Sequence, residues 1–154
     1  MWWRTIAVVL AALVLGPFAS SGSASMSRSA VSVFFRGPGG NVVCGYFAGG
    51  SSPAFVECGV RTELRPAPPR PLVRDCHGLD FAGNRARLRA TGRVVGFCSG
   101  DVGVLAEIGS APRLRYGRQW HMGPFVCRAS VAWLTCTNRD HHGFSLGRLR
   151  WRSF

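Results

Sequence analysis

The chain has 154 residues, of which 47% are hydrophobic, with nineteen arginines, no lysine, seven acids and a formal charge of +12. That length excludes a large doubly wound or barrel enzyme and leaves no room for a second domain. The charge points away from acidic ligand-gathering surfaces and toward anionic partners.

The first element is an export signal over residues 1–24. Trp2-Trp3-Arg4 is a short positive start, Ile6–Leu15 an apolar run, and Gly22 and Ala24 put small side chains where a signal peptidase needs them, so cleavage is expected after Ala24. The run is too short for the roughly 20 residues that cross a bilayer. Nothing later is apolar for long enough, so no membrane span is expected once the signal is gone. Only Arg4 leaves with the signal, so the charge becomes 12 − 1 = +11. A flexible leader of Ser, Ala and Gly over 25–32 precedes a single domain, 33–154, whose order begins in the run Val31-Ser-Val-Phe-Phe35.

Six cysteines, Cys44, Cys58, Cys76, Cys98, Cys127 and Cys136, form an even set behind an export signal, the pattern of a disulfide framework. Fifteen pairings are possible. Local organisation favours nearest neighbours: Cys44 with Cys58, Cys76 with Cys98, and Cys127 with Cys136. Zinc is the competing use, but no Cys-x-x-Cys occurs and the spacing is too scattered for a knuckle. No metal and no cofactor are therefore expected.

Gly37-Pro-Gly-Gly-Asn41 is a turn cluster between Val31–Phe35 and Val42–Phe47, and Gly49–Pro53 is a second turn before Phe55–Val60. The last two runs predict a hairpin with Cys44 across from Cys58. Arg65-Pro-Ala-Pro-Pro-Arg-Pro71 must be extended and reads as a strap between two sheets. Asn84–Ala90 and Arg93–Cys98 flank a Thr91-Gly92 turn, and Val102–Ile108 is a further strand or short helix. Phe125–Ala129 and Trp133–Thr137 form another cysteine-bearing hairpin, and Phe55-Val-Glu-Cys58 matches Trp133-Leu-Thr-Cys136 position by position. This is either a duplicated hairpin or one solution reached twice. No stretch holds a 3.6-residue period over helical length, so the fold is mainly β, a small disulfide-stapled antiparallel sandwich or barrel of about seven to nine short strands.

Arginine recurs at every second residue: Arg85, Arg87 and Arg89 alternate with Ala86 and Leu88, and Arg148, Arg150 and Arg152 alternate with Leu149 and Trp151. Arg113 and Arg115 repeat the pattern briefly. Period two on a strand places each trio on one face, giving basic ladders, and guanidinium forks pair well with phosphate and carboxylate. These six residues are the candidate anion-binding set. The plainer alternative is that an arginine-only vocabulary reflects base composition on a solvated face. No nucleic-acid motif accompanies the charge, and an exported chain leaves the genome behind, so no specific nucleic-acid partner is expected.

The densest polar segment is Asn138-Arg-Asp-His-His142, and Asn138 and His142 are its candidate site residues. On an extended segment His141 and His142 point to opposite faces and share no metal ion. A pair of Asp140 and His142 lacks a nucleophile: Ser99 lies in Gly-Phe-Cys-Ser-Gly, which is not a nucleophile elbow. Bonds from Asn138 and the His142-Gly143 turn to backbone are the alternative.

Phe35-Arg-Gly-Pro-Gly-Gly-Asn-Val-Val-Cys44, together with Cys136-Thr-Asn138 followed by His141-His-Gly-Phe144 and the ending Trp151-Arg-Ser-Phe154, resembles a family of small secreted actinobacterial proteins that carry a domain of unknown function. The family pattern has Ser at position 39, Ile at 42 and Gly at 141. The resemblance covers about residues 34–154 and implies secretion, disulfides and a bacterial source, without an activity. The expectation is an extracytoplasmic, non-catalytic binding or cell-envelope module with basic strand faces for an anionic cell-surface polymer or an acidic protein. The alternative is a small secreted hydrolase or hydrolase inhibitor built on Asn138–His142.

Overall fold

The computed structural model describes residues 30–50, 52–62, 64, 84–96 and 102–154. The signal, most of the leader, the proline strap and the Cys76–Cys98 pairing lie outside the described residues.

Among the described residues ten strands form two antiparallel meanders, each running in chain order. The first sheet holds β1 (Val31–Arg36), β2 (Val42–Ala48), β3 (Phe55–Val60), β4 (Arg85–Arg89) and β5 (Val95–Gly96). The second holds β6 (Gln119–Met122), β7 (Phe125–Ala129), β8 (Leu134–Thr137), β9 (Gly143–Leu146) and β10 (Trp151–Ser153). This is the antiparallel sandwich expected. Its count exceeds nine because β5 has only two residues and β10 three. β1 begins at Val31, two positions inside the leader assigned to 25–32.

Period two sorts the side chains. Val42, Cys44, Val56, Cys58, Ala86 and Leu88 of the first sheet meet Phe125, Cys127, Leu134, Cys136, Phe144 and Leu146 of the second in one core. In β7 and β8 of the second sheet the alternate residues stay partly wet, as the burial of Leu-Thr-Cys-Thr in β8 shows, whereas β9 is buried on both faces. β2 is buried on both faces, because a 3-10 helix, Gly103–Ile108, lies on the outer face of the first sheet. Val104, Ile108 and Ala111 close there on Val43, with Phe34, Phe47 and Leu105 packed around them. Gly59 makes the approach possible: a Cβ there would come within 3.0 Å of Leu105. Within the run Val102–Ile108, Gly103–Ile108 is thus helical, the second of the two expected forms.

Both described disulfides bridge directly opposed residues, Cys44 to Cys58 and Cys127 to Cys136, with Cα atoms 4.1 and 4.0 Å apart. Closing loops of separation 14 and 9 stabilises the fold by about 3 kcal/mol each on the loop-entropy argument. The two bridges stack, with Cys58 Sγ 4.0 Å from Cys136 Sγ at the centre of the core. Cys44, Cys58 and Cys136 place their sulfurs within 4.8 Å of one another, but as disulfide sulfurs they offer no thiolate to a metal.

The likeness of the two halves extends beyond a hairpin. Across the first sheet the register row is Phe35, Cys44, Cys58, Ala86; across the second it is Trp120, Cys127, Cys136, Phe144. Equivalent residues of the two rows touch: Phe35 stacks on Trp120 with ring centroids 4.5 Å apart, and Cys58 meets Cys136. Contact between like positions is what a two-fold relation between the sheets produces.

Candidate functional site: the exposed arginines and the end cleft

The first arginine trio shares a face as expected, but that face is the one beneath the 3-10 helix. Arg85 is only 2% exposed and Glu57 3%. Glu57 Oε1 lies 3.6 Å from Arg85 Nη1, while its Oε2 accepts from Arg87 Nε and Nη2 at 3.1 and 2.7 Å. Arg87 also sits 4.2 Å above the Phe55 ring. Buried charges persist only when paired, and here one carboxylate serves two guanidinium groups. Arg85 is therefore removed from solvent anions, Arg87 is largely committed inside the fold, and Arg89 alone of this trio is exposed.

The second trio is exposed, though not as a ladder. Gly147 N–H donates to the Arg150 carbonyl at 2.8 Å, which makes Arg148 and Leu149 the tip of a tight hairpin between β9 and β10. Only Arg152 lies on a strand. A turn replaces the expected strand because Gly147 and the short β10 leave Arg148–Arg150 without ladder partners.

Arg152 belongs to a polar row on the outer face of the second sheet: Gln119, Arg128, Thr135, Ser145, Arg152, one residue per strand. Thr135 and Ser145 share a hydroxyl bond of 2.8 Å, and Arg152 Nε donates to Ser145 Oγ at 3.4 Å while lying 5.5 Å from the Trp133 ring. The Gln119 amide satisfies both neighbours when its oxygen accepts from Arg128 Nε at 2.8 Å and its nitrogen donates to His121 Nε2 at 3.0 Å. The row is thus framed by two oriented, exposed or edge-lying guanidinium groups. Arg128 is a residue that sequence reasoning missed. A lone Arg between two cysteine-flanking core residues of β7 was its only signal.

At one end of the sandwich lies an open cleft of about 480 Å³. Gly37–Val42, Arg61, Tyr116, Ser130–Leu134, Gly147 and Arg148 line it. The Arg148 carbonyl accepts from both Asn41 Nδ2 and Thr62 Oγ1 at 3.0 Å, so two side chains of the first sheet pin the β9–β10 tip. That tether brings Arg61, next to Thr62, into the same cleft as Arg148.

Asn138 is the counterpart clasp at the other end. It is 5% exposed. Its Nδ2 donates to the carbonyls of Arg89 and Gly92 at 3.1 and 2.8 Å, and its Oδ1 accepts from the N–H groups of Asp140 and His142 at 3.1 Å each. Both donors and both lone pairs are used, so the amide has nothing left for a substrate. Asp140 adds a bond from Gly92 N–H at 2.8 Å. His141 stands at φ 62, in a left-handed turn and not on the extended segment expected. The backbone-bonding alternative describes Asn138, with the added feature that its partners include the opposite sheet.

Among the described side-chain carboxylates Glu57 is buried with Arg85 and Arg87, while Glu107 bonds the Ser110 hydroxyl at 2.7 Å and the exposed Asp140 accepts from Gly92 N–H at the surface. Among the described residues no helix is long and apolar enough to cross a membrane.

A family model, described as a family of unknown function, DUF6636, matches residues 12–154. No curated protein and no solved structure matches the chain.

Proposed function

We propose that the chain, which belongs to that family of unknown function, is an exported, non-catalytic binding module for an anionic cell-surface polymer or an acidic protein partner. One observation carries the reading. Of the described side-chain carboxylates Glu57 is buried and paired while Glu107 and Asp140 each hold a hydrogen bond, and none of them pairs with Arg128, Arg148, Arg150 or Arg152, which are exposed. An arginine without an internal acid presents a bidentate donor to a carboxylate or phosphate, and a body of this size with charge +11 after signal removal raises the local anion concentration.

Two stacked disulfides agree with an oxidising, extracytoplasmic address. Arg85 and Arg87 leave the candidate set because Glu57 holds them. The test replaces Arg148, Arg150 and Arg152 together by serine and measures binding to an anionic wall polymer against salt. Losing three contacts flattens the logarithmic salt slope by about two to three. An unchanged slope overturns the reading.

A further inference from the structure

We infer that the end cleft is a subsite for an acidic saccharide, with a sugar ring against Tyr116 and Trp133 and its carboxylate or phosphate on Arg61 and Arg148. The inference rests on the anion-binding reading above and gives it a place and a ligand class.

The volume of about 480 Å³ falls within the roughly 300–1,000 Å³ of small-ligand sites. Arg61 and Arg148 line the cleft together with two aromatic residues, Tyr116 and Trp133. Tyr116 is 55% exposed, a large ring left in solvent with no core to fill. The Trp133 backbone is held by Ser130, whose hydroxyl accepts from the backbone N–H at 3.0 Å and donates to the backbone carbonyl at 3.1 Å, and the ring has the Arg152 guanidinium 5.5 Å from its centre. Gly37, Gly39 and Gly40 form the facing wall, and a Cβ at Gly39 would meet nothing within 4 Å. That wall is mostly backbone, with the Gly37 and Gly40 N–H groups donating within the turn to the Val42 and Gly37 carbonyls at 2.8 and 2.9 Å.

These features select among anions. A bare phosphate chain has no use for aromatic walls. An acidic peptide would pair with a strand edge, but the cleft is lined mostly by turns, with only Val42 and Leu134 contributed by strand ends. A pyranose offers an apolar C–H face to an aromatic ring, hydroxyls to backbone groups and, when it carries an acid, an anion for the guanidinium fork. The Arg148 backbone is fixed by Asn41 and Thr62, so binding has to order the Arg148 side chain but not the turn that carries it.

The test titrates the oxidised mature chain, by calorimetry and tryptophan fluorescence, with an oligogalacturonate, a phosphorylated hexose oligosaccharide, a neutral oligosaccharide of equal length and linear polyphosphate of equal charge. At least one acidic saccharide is expected to bind at least tenfold more tightly than the neutral one and than polyphosphate, and the pair of acidic probes tells carboxylate from phosphate. Tyr116→Ala is expected to weaken that saccharide at least fivefold, with Tyr116→Phe restoring it and polyphosphate binding unmoved. Polyphosphate matching the saccharides, or Tyr116→Ala without effect on them, overturns the cleft assignment while the basic surface stands. Saccharide binding without any polyphosphate binding upholds the cleft and overturns the broad basic surface. No binding of any probe overturns both.

Discussion

At the scale of single residues the fold depends on a few buried polar groups whose partners are fixed. Glu57 neutralises Arg85 in a space closed by the 3-10 helix, where a Cβ on Gly103 would fall onto the Arg85 guanidinium. Glu57→Ala strands a buried cation and is expected to cost about 3–5 kcal/mol in urea unfolding. Asn138→Ala strips bonds from two carbonyls and two N–H groups and is expected to cost about 2–3 kcal/mol, while leaving binding to an anionic polymer unchanged at temperatures where the variant is folded. If polymer binding disappears in a folded Asn138→Ala protein, the clasp reading of this residue is wrong. Gly143 is constrained by crowding: a Cβ there would collide with the Cys136 carbonyl and touch the Phe154 ring. Gly143→Ala is therefore expected to lose at least about 2 kcal/mol, read as a lower unfolding midpoint.

Elements show where the sequence was readable. The cysteine hairpins were legible because β-branched and aromatic runs, turn glycines and opposed cysteines all agree, and the register indeed sets Cys44 against Cys58 and Cys127 against Cys136. Replacing Cys127 and Cys136 together by alanine is expected to lower stability by about 3 kcal/mol or more, since the core also loses two packed sulfurs. The arginine ladders were legible only in part. Period two fixes which residues share a face but not what covers that face, and the cover over Arg85 comes from a 3-10 helix some 18 residues later with no helical period of its own. Likewise Arg148–Arg150 alternate as a strand would, yet a two-residue turn uses the same alternation. The cleft was not legible at all, because Arg61 and Arg148 meet only through the side chains of Thr62 and Asn41.

As a whole molecule, the chain is two meanders of one pattern that stack like positions on like across a shared core, with a clasp at each end. Asn41 and Thr62 reach from the first sheet to the β9–β10 turn, and Asn138 reaches from the second sheet to the β4–β5 turn. The clasps tie one sheet to the other, and each disulfide staples two neighbouring strands within its own sheet; on the proposed reading the exposed arginines are left for a partner. Envelope binding across a salt series tests that most directly. Oxidised mature protein is co-sedimented with isolated cell envelopes at rising salt, beside the Arg148→Ser, Arg150→Ser, Arg152→Ser variant of equal stability. The account predicts binding that falls steeply with salt for the parent chain and a weaker, flatter dependence for the variant. Binding that is absent, or equal in both proteins at every salt concentration, contradicts it.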